Sequence, residues 1–171
     1  MQRRQFLQAV AGGTTLGSAG CLGIGGDLVV TVQKDVSVEP GTGWIKEIPD
    51  VSDSGGEIAY TARSRAPFDV YFFTSAEAMR RYDAYTSGEE PESTPPGDQD
   101  VGRTATSTGG DRYEATSAND GGRQPIEGSG PYYFVLDHTD YPAAGGARPD
   151  EMPERRSIFL DLTVTRQRFG L

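Results

Sequence analysis

The side chains in this sequence best able to do chemistry are one cysteine, Cys21, one histidine, His138, and many carboxylates. A cysteine that becomes a new N-terminus can carry a thioether-linked lipid, and Cys21 has no second thiol to pair with. A blue-copper centre needs two histidines and a cysteine, and a zinc site of the usual kind needs several Cys or His ligands. One residue of each type excludes both. Serine hydrolysis wants a histidine base beside an activated serine. His138 stands in Asp137-His138-Thr139-Asp140 at a predicted strand end, where a lone histidine is expected to face solvent or cap a turn, and no Gly-x-Ser-x-Gly elbow accompanies it. No Gly-rich run ends in Gly-Lys-Ser/Thr, so no phosphate loop is expected. Oxygen ligands for calcium are present: Asp50, Asp53 and Glu57 bracket a turn glycine, and Asp137 and Asp140 form a second candidate pair. Neither has the alternate-position acids and twelfth-position glutamate of an EF-hand loop. No cofactor is expected, and the chain does not read as an enzyme.

The N-terminus that delivers Cys21 has its own chemistry. Arg3 and Arg4 are followed by an uncharged stretch from Phe6 to Ala19 in which glycines and threonines dilute the apolar residues. It is too short and polar to span a bilayer, which takes about 20 mostly apolar residues. Arg3-Arg4-Gln5-Phe6-Leu7 resembles the twin-arginine export motif, with Arg3, Arg4, Phe6 and Leu7 on its pattern positions. Ser18-Ala19-Gly20-Cys21 resembles a lipobox in which Ser18 stands where leucine is usual. These resemblances imply a signal peptide over residues 1–20, a lipid on Cys21 and a mature protein on the outer face of the cell membrane. An ordinary cleaved signal with an incidental cysteine, or a cytoplasmic N-terminal tail, are the alternatives. Residues 22–26 form a short tether, about 17 Å when extended.

The formal net charge is −9, and cleavage before Cys21 would remove Arg3 and Arg4 and no acid. Only Lys34 and Lys46 are lysines; the other cations are arginines. A carboxylate-rich, lysine-poor surface of this kind suits a salt-loving organism, since it stays hydrated where salt would precipitate an ordinary protein. It disfavours nucleic acid, whose binding needs clustered Lys and Arg, and anionic headgroups alike. Membrane contact is therefore expected through the lipid.

What remains, residues 27–171, suits one domain. A chain of about 150 residues buries roughly 68–70% of its unfolded surface and needs no disulfide or metal to fold. Runs 28–32, 44–48, 57–63, 68–73, 112–116, 132–136 and 158–165 read as strands, several with alternating apolar residues, such as Ile158, Leu160, Leu162 and Val164. Strands separated by turn signals, without alternating helices, predict an all-β antiparallel sandwich. One helix is predicted from Thr74 to about Tyr85, with Thr74 as N-cap and Glu77 closing a capping box. It should cover an end or edge of the sandwich with Ala78, Met79, Tyr82 and Tyr85, a stripe read as a packed face with a ligand site as the alternative. Residues 87–100, rich in Glu, Asp and Pro, read as a disordered loop, and residues 140–154 as a second long loop, functional or disordered.

Phe68-Asp69-Val70-Tyr71-Phe72-Phe73-Thr74 and Gly130-Pro131-Tyr132-Tyr133-Phe134-Val135-Leu136-Asp137 resemble strands of two small jelly-roll sandwich families, the GOLD-type and the pre-peptidase C-terminal domains. As a whole the chain resembles surface lipoproteins of haloarchaea. The resemblance implies a jelly-roll-like fold and a module that binds proteins, sugars or calcium. The expected function is that of a membrane-anchored, non-enzymatic binding or accessory module with a protein or glycan partner in the envelope. The alternatives are a small-ligand or calcium-binding receptor subunit and an envelope hydrolase; a pocket lined by His138 and carboxylates would favour the latter.

Overall fold

The computed structural model describes residues 26–51, 53–142 and 154–167. Arg3, Arg4, Phe6, Leu7 and Cys21 lie outside the described residues, as does most of the second long loop. The chain forms β1 (Asp27–Val38), β2 (Thr42–Ile48), β3 (Gly56–Ser64), β4 (Asp69–Phe73), helix α1 (Ala76–Thr86), β5 (Arg103–Thr104), β6 (Thr106–Ser107), β7 (Tyr113–Thr116), the short α2 (Ala118–Gly121), β8 (Gln124–Ile126), β9 (Tyr132–His138) and β10 (Arg156–Arg166).

These strands make the expected antiparallel sandwich. Sheet A runs β1-β10-β3-β7-β6 with β8 also on β3, and sheet B runs β2-β9-β4-β5. Consecutive long strands alternate between the sheets, the wrapping of a jelly roll. Alternation along the strands builds the core between them: Ile58, Tyr60 and Ala62 of β3 and Ile158, Leu160, Leu162 and Val164 of β10 face Val70, Phe72, Phe134 and Leu136 of sheet B.

β4 has no polar alternate, and all five residues from Asp69 to Phe73 are buried. A strand apolar on both faces must be covered on both, and α1 supplies the second cover. Expected over an end or edge, the helix lies on the outer face of sheet B. There Tyr71, Phe73 and Val135 pack with Met79, Tyr82 and Tyr141 in a second apolar cluster. The tyrosine stripe is thus the packed face of the helix: Tyr82 and Tyr85 each stand edge-on to Tyr141, with ring centroids 5.2 Å apart.

The helix is capped one residue later than the sequence suggests. Ser75 is the N-cap, and its hydroxyl accepts from the Ala78 N–H at 3.2 Å. Thr74 and Ser75 are both good caps; choosing Ser75 puts Ala78, not Glu77, at the third helical position and leaves no capping box. The acidic loop after the helix is also not disordered. Asp98 receives the N–H groups of Asp100 and Val101 on its carboxylate at 2.8 and 3.2 Å, its own N–H bonds to Phe72 at 2.7 Å, and Val101 is buried. Tyr141 donates to the Pro95 carbonyl at 2.8 Å, tying the loop over the second cluster.

Candidate functional site

The two faces of the sandwich differ, and the difference locates the site. α1 and the 87–102 loop close sheet B, whereas no described element covers the outer face of sheet A, which carries a groove of about 1000 Å³. Strand register assembles its floor. Asp35 of β1 stands opposite Phe159 of β10, Phe159 opposite Arg63 of β3, and Arg63 opposite Glu114 of β7, a single row across four strands. Arg65, Arg112, Tyr113, Glu154 and Arg155 rise around that row from the strand ends and turns.

Five of the chain's arginines line this groove, counting Arg156 at its inner end, against the carboxylates Asp35, Glu114 and Glu154. A protein of net charge −9 thus has a local surplus of cations here. Arg63 is held by Glu114, Nε to Oε2 at 2.5 Å, and Arg155 by Glu39 outside the groove, also at 2.5 Å. Arg65 and Arg112 make no ion pair among the described residues. The sequence carried one signal of this surface. Phe159 is the lone aromatic on the outward parity of β10, where the other outward residues, Ser157, Asp161 and Thr163, are polar. The arginines themselves come from distant segments that only the register unites.

Beyond Arg156 lies a buried polar cluster. Asp69, Asp137, His138, Thr139 and Arg156 are each at most 2% exposed. Asp69 and Asp137 are cross-strand neighbours in β4 and β9. The Asp137 carboxylate accepts a short hydrogen bond from the Tyr82 hydroxyl, and bonds from the Thr139 N–H and hydroxyl at 3.0 Å. Gly43 of β2 is the opposite neighbour of Asp137, and a Cβ there would overlap the Tyr82 hydroxyl. The missing side chain lets the phenol pass over β2 to the carboxylate. Burial pushes the Asp137 carboxyl up to about 6, with the Tyr82 and Thr139 hydrogen bonds working against it. Burial likewise lowers the Arg156 guanidinium, opposed by Asp69 and Asp137. His138, expected at the surface, is fully buried because β9 runs on through it: its carbonyl accepts the Gly41 N–H at 2.8 Å, and Thr42 is its partner in β2. It does not line the groove.

The calcium candidates are not brought together. Asp50 and Asp53 are exposed, Glu57 is paired with Arg123 at 3.1 Å, and Asp140 lies at the surface as an acceptor for Tyr85 at 3.2 Å. Among the described residues no three His, Cys, Asp or Glu side chains are grouped to hold a metal ion. No described helix is long and apolar enough to cross a membrane.

No family model, curated protein or solved structure matches this chain.

Proposed function

We propose that this chain is a lipid-anchored extracellular binding module, exported by the twin-arginine route and held to the membrane through Cys21. Its binding surface is the arginine-lined groove of sheet A. The observation that carries this reading is the contrast between the two sheets. Sheet B is closed by α1 and its loop, while the face of sheet A that no described element covers gathers cations and the half-buried ring of Phe159 in an otherwise acidic protein. Guanidinium groups in a fork geometry favour directional recognition of anionic groups.

Position along the strands supports it. Asp27, the first residue after the tether, pairs with Arg166, whereas Asp35 and Phe159 of the groove lie eight and seven residues further along that ladder. At about 3.3 Å per residue the groove stands roughly 25 Å along the strands from the tethered end. The hydrolase alternative called for a pocket lined by His138, and His138 is enclosed in the sandwich.

Crosslinking in intact membranes tests the reading. The native chain should recover envelope partners, and Arg65→Ala/Arg112→Ala should lose them while remaining in the membrane fraction. Equal recovery by both proteins would remove the groove from the function.

A further inference from the structure

Resting on that reading of the groove, we infer that its ligand is an acidic saccharide, a glycan bearing uronate carboxylates. The groove has three kinds of group, and each constrains the ligand. Arg65 and Arg112, without ion pairs among the described residues, offer forked donors that match a carboxylate in two parallel hydrogen bonds. The ligand is therefore anionic. Phe159 lies in the floor row, half-buried, whereas Tyr113 at the groove's edge packs against the core. The electron-rich face of Phe159 attracts polarised C–H groups and flat apolar surfaces, such as one side of a pyranose ring.

The third kind decides between an acidic peptide and an acidic sugar. Asp35, Glu114 and Glu154 stand among the arginines, and an ionised carboxylate only accepts hydrogen bonds. A run of Asp and Glu side chains would bring like charge against Asp35 and Glu154, which make no ion pair among the described residues, with only backbone N–H donors to offer them. A uronate-bearing saccharide spaces its carboxylates apart and fills the intervals with hydroxyls, each a donor as well as an acceptor. Carboxylates, an arginine and an aromatic ring share the floor row of Asp35, Phe159, Arg63 and Glu114, and a ligand that carries both carboxylates and hydroxyls matches that mixture. Ser64, Ser157 and Thr108 also line the groove.

Isothermal titration of the full chain in detergent, at matched salt, separates the possibilities. The probes are tetragalacturonate, a chondroitin tetrasaccharide, neutral maltotetraose and a hexaglutamate peptide. At least one of the two uronate saccharides should bind, maltotetraose should not, and Arg65→Ala/Arg112→Ala should weaken binding at least tenfold. Phe159→Ser, which changes an outward side chain and leaves the inward residues of β10 in place, should weaken the saccharide by several-fold and leave any hexaglutamate signal unchanged. Binding of hexaglutamate alone, lost in the arginine variant, would overturn the saccharide and leave the groove as the site. Binding of no uronate saccharide, or binding indifferent to both variants, would overturn the saccharide inference; the membrane crosslinking described above then decides separately whether the groove is used at all.

Discussion

Asp137 is the residue with the most to say about stability. Its carboxyl, pushed up to about 6 by burial, titrates near 3.9 in an unfolded chain. Between those values the folded state holds a proton that the unfolded state has released, so the contribution of Asp137 to stability is fully present below about pH 4 and is lost as pH rises to about 6. The loss is on the order of 3 kcal/mol for a shift of this size. Melting temperature measured from pH 3.5 to 7 should show this decline, superimposed on the titration of the many surface acids. Asp137→Asn, which cannot ionise, should flatten that part of the curve; an unchanged slope would show that Asp137 does not titrate there. Tyr82→Phe removes a hydrogen bond that favours the ionised carboxylate, so it should shift the decline toward higher pH and cost about 1–3 kcal/mol at neutral pH. None of this was legible in the sequence. Asp137-His138-Thr139-Asp140 is polar throughout and reads as surface, yet β9 carries Asp137 and His138 into the interior and Thr139 is buried just beyond it, where Tyr82 arrives from a helix 55 positions away.

At the scale of elements, the docking of α1 on sheet B depends on a residue that is not there. A methyl group at Gly43 would occupy the place of the Tyr82 hydroxyl, so Gly43→Ala should push Tyr82 and the helix away from the sheet. Loss of the Ser75 cap in Ser75→Ala should cost about 0.5–2 kcal/mol, and Gly43→Ala should cost more, because it disturbs a buried hydrogen bond as well as helix packing. Urea unfolding of the two variants side by side checks the order; a Gly43→Ala protein as stable as Ser75→Ala would mean that Tyr82 reaches Asp137 by another route. The long strands were legible because their alternation or continuous apolarity survives in the sequence: Ile158 to Val164 in β10, and Val70 to Phe73 in β4. The second half of β1 was not, since only Val36 and Val38 of Gln33–Val38 are buried and its polar residues resemble a loop. β5, β6 and β8, of two or three residues each, exist because neighbouring strands pair with them, and no local pattern announces that. The ordering of residues 87–102 comes from Asp98 and Tyr141, contacts across distance that composition cannot express.

At the scale of the whole molecule, the prediction that bears on location is the simplest. Cys21→Ser should move the mature protein from the membrane fraction to the soluble one, read by fractionation and immunoblot; full retention on membranes would remove the lipid as the anchor. Anchor and groove were unequally accessible to sequence reading. The proposed anchor rests on a short contiguous motif, so residue order alone suggests it. The groove draws Asp35, Arg63, Arg112 and Phe159 from four segments, and only the register of β1, β10, β3 and β7 makes them neighbours.

That register also determines how the protein would bear load. β1 leaves the tether at Asp27 and runs antiparallel to β10, with Asp27 beside Arg166 at one end and Val38 beside Arg156 at the other. On the proposed anchoring, a partner held in the groove would pull near Phe159 and Arg63, while the anchor would pull on Asp27 in the opposite sense along the strand axis. The ladder between β1 and β10 would then be strained in shear, its hydrogen bonds sharing the tension together instead of parting one after another. An edge strand, the element easiest to peel from a sheet, would meet such a tug along its length and not across it.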